Sequence, residues 1–146
     1  MNSKRIIQVL AAGLMLLFIH SIHAQCKPFI KKSCMPKLAP YTSDGQLNSA
    51  QLRSGEAAEL EFTFYSGQEY RIYVCAQEIL GAVSFKLMDS NRNILFNSKN
   101  GKNPYWDFHI ESTQQMILEV SSPESSDPII PSGCVAVMVG FKDAKK

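Results

Sequence analysis

Four cysteines, a histidine and a short run of acids and amides are the side chains through which this sequence could do chemistry. Cys26, Cys34, Cys75 and Cys134 are separated by 8, 41 and 59 residues. Zinc sites usually draw their ligands from two close pairs, and these intervals offer none. An even number of cysteines in an exported chain points instead to disulfides. Three connectivities are open, and Cys26–Cys34 with Cys75–Cys134 is preferred. On the loop-entropy argument the short ring would contribute roughly 2.5 kcal/mol and the long one about 4 kcal/mol.

His109 is the only histidine beyond residue 24. A hydrolytic triad would have to use it, yet no serine sits in a G-x-S-x-G turn. Asp89-Ser90-Asn91-Arg92-Asn93 matches the opening of a calcium loop, D-x-N-x-N. Ile94 then stands where the loop needs glycine, and Asn100 where it needs a bidentate glutamate. The stretch reads better as a hairpin turn. Glu56, Glu59, Glu61 and Glu78 could supply a glycosidase pair, but they read as solvated strand faces. Exposed aromatics can stack on sugars, and Tyr65, Tyr73 and Tyr105 are the candidate ligand contacts, with Tyr41 beside them. No catalytic residue, metal ligand or cofactor is assigned.

The elements that would position these groups are short strands. Leu60, Phe62 and Phe64 alternate with polar residues, as do Tyr70, Ile72 and Val74, then Val83, Phe85 and Leu87. Ile94 and Phe96, Trp106, Phe108 and Ile110, Met116, Leu118 and Val120, and Val135, Val137, Val139 and Phe141 continue the pattern. Period-two alternation with Gly, Asn, Asp and Ser at the breaks is the signature of half-buried antiparallel strands. Seven or eight strands predict an all-β, disulfide-bonded antiparallel sandwich of jelly-roll type. Trp106 falls in the core phase and His109 on the outer face. Cys75 shares the non-core face with Arg71 and Tyr73, and Cys134 with Ala136 and Met138. They could bridge each other there, or an amino-terminal segment lying over that face could bring Cys26 or Cys34 to them. Asn100-Gly101 suits a tight turn. The stretch SSPESSDPIIPSG, 121–133, predicts a long loop with Ile129 and Ile130 tucked under it or left as a contact point.

Lys4 and Arg5, the apolar run from Ile6 to Ile19 and the small Ala24 form the three parts of a secretory signal peptide, 1–24. The run is short of the ~20 apolar residues that cross a bilayer, so no membrane span is expected in the mature chain. Residues 25–45 carry Pro28, Pro36 and Pro40 and are expected to be irregular. Residues 46–146 form the sandwich domain. The chain has 15 basic and 13 acidic side chains. Lys4 and Arg5 leave with the signal, so the mature domain is balanced and offers nothing for nucleic acid.

From Gln51 onward the order of features resembles the pre-peptidase C-terminal domain family. The carrying pieces are LRSGEAAELEFTFYSGQEYRIYV, VSFKLMDSNRNILF, YWDFHI, QQMILEV and CVAVMVGF. The chain is also similar to small secreted bacterial proteins consisting of this domain alone. The resemblance implies an eight-stranded sandwich and a non-catalytic role, and it names no ligand. The sequence therefore supports a secreted or periplasmic binding module for a glycan or protein. An accessory subunit of a surface or secretion assembly is the alternative, and a hydrolase comes third.

Overall fold

The computed structural model describes residues 26–99 and 102–143, so the expected signal peptide 1–24 and the expected Asn100-Gly101 turn lie outside the described residues. Among the described residues nine strands form two antiparallel sheets. They are β1 (Thr42–Ser43), β2 (Asn48–Arg53), β3 (Ala57–Phe64), β4 (Gln68–Ala76), β5 (Ser84–Asp89), β6 (Ile94–Asn97), β7 (Tyr105–Ile110), β8 (Gln114–Ser121) and β9 (Ser132–Asp143). The first sheet runs β7, β4, β9, and β1 and β2 lie one after the other along the far edge of β9. The second runs β3, β8, β5, β6. The all-β sandwich expected from the alternation is what forms.

The inward sets are those the alternation marks. Phe64, Tyr70, Ile72, Val74, Phe85, Leu87, Ile110, Met116, Leu118, Val120, Val135, Val137 and Val139 are buried between the sheets. Each large side chain fully buried there contributes roughly 1.5–3 kcal/mol. Ile94 departs from the expected phase and is 58% exposed. The β5–β6 register pairs Leu87 with Phe96 but Met88 with Ile94, so Leu95 is an extra residue. One extra residue turns everything beyond it to the other face. Trp106 keeps the core phase but is only half-buried, because β7 is an edge strand. It stacks between Phe96 and Phe108, with ring centroids 5.0 and 4.5 Å away, and so closes this side of the sandwich.

The amino-terminal segment is helical where an irregular chain was expected. An α-turn (Cys26–Phe29), a π-turn (Ile30–Cys34) and a 3-10 turn (Met35–Leu38) follow without a break. Cys26, Ile30, Cys34 and Leu38, four residues apart, form its buried stripe. An α-helix repeats every 3.6 residues, so a strict four-residue stripe drifts around it, and the wider π-turn restores the phase. The stripe packs on Tyr41, Cys75, Cys134, Ala136 and Met138, making a second core on the outer face of β4 and β9.

The disulfides are Cys26–Cys134 and Cys34–Cys75, with Cα atoms 5.6 and 5.7 Å apart. The preferred pairing is therefore corrected, and the physical reason is the register. Cys75 lies opposite Ala136, two residues beyond Cys134 on β9. Such diagonal neighbours are about 7–8 Å apart, beyond ordinary disulfide reach. Cys26 and Cys34 are separated by two helical turns, roughly 12 Å at α-helical rise. The segment lies over the sheet and sets each of its cysteines above a strand cysteine.

Candidate functional site

The three tyrosines singled out from the sequence do not gather. Tyr73 and Tyr105 are direct partners across β4 and β7. Tyr73 is half-buried against the second core, and that burial raises its phenol pKa. Tyr105 is 48% exposed, with one face occupied by Arg71, whose guanidinium lies 4.6 Å from its ring centroid. The other face of the guanidinium meets Tyr41, also at 4.6 Å. Arg71 donates Nε and Nη2 to the Asp107 carboxylate at 2.7 Å each and Nη1 to the Ala39 carbonyl at 3.0 Å. Tyr41 is buried beneath Arg71 and Lys142, so it is not an exposed contact. This cluster pins the amino-terminal segment to the sheet.

His109 is exposed on the outer face of β7, opposite Glu69. Glu69 pairs with Lys142 at 2.8 Å. Among the described residues no serine or cysteine is hydrogen-bonded to His109, and no three His, Cys, Asp or Glu side chains cluster as metal ligands would. The Asp89 run is the expected hairpin turn. Asp89 Oδ1 accepts the Asn91 and Asn93 backbone N–H groups at 2.9 and 2.8 Å, and Oδ2 accepts Asn93 Nδ2 at 2.8 Å. These bonds, Asn93's side chain first, hold the Asp89 carboxyl below its ordinary pKa. Arg92, at φ 65°, turns back to make a fork with Glu59 at 2.8 and 2.9 Å.

Tyr65 marks a different place. It begins the β3–β4 turn, is 62% exposed, and stands on a fastened base. Its N–H donates to Tyr70 Oη at 3.0 Å, the Ser66 N–H to Thr113 Oγ1 at 3.1 Å, and the Gly67 N–H to the Ile110 carbonyl at 2.8 Å. Gly67 has φ +81°, a backbone geometry that side chains resist. Phe64 packs edge-on against Tyr70 and Phe108 under the turn. Across from Tyr65, Asp44 is fixed by its N–H to the Val139 carbonyl and accepts the Gln46 N–H at 2.9 Å. Partial desolvation raises the Asp44 carboxyl, against the opposing pull of that hydrogen bond.

Between these walls opens a cleft of about 560 Å³, lined by Asp44, Gln46, Phe62, Tyr65, Gln68 and Phe141 among others. Its size is that of a ligand site, and its lining mixes aromatic faces, amides and the two carboxyls of Asp44 and Glu61. It can bind and orient a guest; it carries no nucleophile–base pair. The sequence marked Tyr65 but gave Asp44-Gly45 only as a turn signal, and nothing in the spacing placed the two together.

No protein-family model and no curated protein sequence matches the chain. Among solved structures, it is similar in fold to Aeromonas hydrophila PliG, a periplasmic lysozyme inhibitor of g-type lysozyme. The TM-score is 0.52 at 7% identity, covering 70% of this chain and 89% of that one. At that identity the likeness is one of fold.

Proposed function

We propose that this chain is an extracytoplasmic, non-catalytic β-sandwich module that binds a protein partner. The observation that carries the reading is the cleft beside Tyr65, whose walls are held by backbone hydrogen bonds and an aromatic cluster but bear no catalytic pair. A rigid aromatic at the lip of a concavity is the anatomy of an interface hot spot, which loses little entropy on binding. The fold likeness to a periplasmic inhibitor supports a protein rather than a glycan as partner, and supports a place outside the cytoplasm. Two disulfides fit an oxidising compartment.

The test is capture of purified g-type lysozyme on the immobilised mature chain, with a glycan array in parallel and inhibition of cell-wall lysis as the activity readout. Binding of the lysozyme, weakened at least tenfold by Tyr65→Ala, is the expected result. Glycan binding without protein binding would overturn the reading. An accessory subunit of a surface assembly is the second reading. It is favoured by Ile79, Ile129 and Ile130, which are 62%, 84% and 60% exposed on the 3-10 turn Glu78–Leu80 and the β8–β9 loop. Copurification from envelope extracts, lost in Ile129→Ser with Ile130→Ser, would establish it.

A further inference from the structure

The side of the sandwich opposite Trp106 is open. β2 and β3 follow each other in sequence but enter different sheets, splaying apart after the turn at Ser54-Gly55. β3 pairs with β8 along all eight residues without a bulge, and its other edge has no backbone partner among the described residues. The gap between the two strands is a slot of about 180 Å³ lined by Asn48, Ala50, Leu52, Ala58, Leu60, Val120 and neighbouring atoms. An apolar cavity of about 150 Å³ is enough to take up benzene. The slot and the Tyr65 cleft succeed each other along β3, and we read them as one trench. Residues 58–60 of β3 line the first concavity and 61–65 the second, as Asn48, Ser49, Ala50 and Leu52, and then Asp44 and Gln46, do opposite.

Three observations say what fits there. Residues 58 to 65 all line the trench, inward- and outward-facing alike, so its wall is the backbone edge of β3 itself. A bare strand edge of this length, with no proline and no inward charge, is a template for another strand. The buried Nδ2 of Asn48, on the opposite wall, has no acceptor among the described residues. A main-chain carbonyl in the trench would supply one, and a buried donor left without one is costly. Finally, Glu59 is held by Arg92, whereas Glu61 has no ion-pair partner among the described residues. A basic side chain on a strand added beside β3 would face Glu61 across the pair.

We infer that the trench receives one extended segment of the protein partner, paired through its main chain to the free edge of β3. Its inward residues are apolar and fill the slot, one of its carbonyls meets Asn48 Nδ2, and its outward residues near Glu61 are basic. The inference rests on the protein-binding reading and names the kind of segment recognised.

The probe is the blocked hexapeptide acetyl-Thr-Lys-Val-Lys-Leu-Thr-amide, titrated into the ¹⁵N-labelled mature chain. Amide shifts confined to 48–52 and 57–65, with the Asn48 side-chain amide among them, are expected. Ala50→Phe, at an exposed position on the slot wall, should weaken binding at least tenfold with unfolding unchanged. Glu61→Lys should reverse the preference, so that the peptide with Glu in place of both lysines binds better. No shifts at millimolar peptide, or equal affinity in Ala50→Phe, would overturn the inference. So would shifts of the β3 amides with protein concentration alone, which would make a second copy the occupant. Peptide binding only after deletion of 144–146 would assign the trench to the chain's own tail, and equally overturn it. A protein partner that binds Ala50→Phe as well as wild type would refute the trench and leave the protein-binding reading standing. Peptide binding by a chain that captures no protein would do the reverse.

Discussion

Arg71 is held by four partners: two tyrosine faces, a carboxylate fork and the Ala39 carbonyl. Lysine keeps the charge but has neither the planar fork nor the flat stacking surface. Asp107 is 38% exposed, so solvent screening reduces what the ion pair alone contributes. Arg71→Lys should therefore cost about 1–2 kcal/mol in urea unfolding, mostly from lost stacking and hydrogen bonds. A variant as stable as wild type would show the cluster to be decorative. Trp106→Ala should cost about 2 kcal/mol, below the 3–5 kcal/mol of a fully buried aromatic, because the ring is only half-covered. Asp89 titrates in a definite sense. Its folded pKa is depressed from an ordinary value of 3.8, so its contribution to stability is present above that value. The contribution is lost as pH falls through the folded value. Urea midpoints measured from pH 6 down to 2 should fall less steeply in Asp89→Asn than in wild type.

The strands carrying the main core were legible because each has one wet and one dry face. Phe64, Ile72, Leu87, Leu118 and Val137 are inward where period two places them. β2 escaped that reading because only Leu52 in it is buried, as befits an edge strand. The amino-terminal helix escaped for another reason. Pro28 and Pro36 read as breakers, yet Pro28 falls in the first described turn and Pro36 at the start of the 3-10 turn, where the fixed φ of proline suits a helical start. The four-residue stripe of Cys26, Ile30, Cys34 and Leu38 was the available signal. The non-core phase of Cys75 and Cys134 was legible, but the diagonal offset between them was not, since register is a property of two strands. Tyr65 was legible as exposed, whereas the trench depends on where two sheets part. The observed pairing sets an order of stabilities. Cys26–Cys134 spans 108 residues and Cys34–Cys75 spans 41. Taken singly, the loop-entropy argument gives about 5 and about 4 kcal/mol. Cys26→Ser with Cys134→Ser should lower the melting temperature further than Cys34→Ser with Cys75→Ser, by calorimetry.

At the scale of the whole molecule, the sandwich is one closed and one open side, with a fastened plate on one outer face. Gly140 shows how close that plate lies: an added Cβ would come within 2.7 Å of Tyr41 Cβ and 2.9 Å of Leu38 Cγ. Gly140→Ala should lift the plate locally, seen as faster amide exchange across 30–41 with the main core still protected. The disulfide connectivity carries a consequence for assembly in time. The two bonds are nested, the outer one joining the first and the last cysteine of the chain. Were the chain threaded into an oxidising compartment from its amino end, it would present Cys26 and Cys34 together, long before Cys134 arrived. Neighbours eight residues apart meet most often, so the first bond expected is Cys26–Cys34, which the finished protein lacks. Maturation by that route would need thiol exchange to break it, and refolding from the reduced chain should be accelerated by a disulfide isomerase more than by an oxidant alone. Acid-trapped intermediates, mapped by mass, should show that early bond appear and vanish.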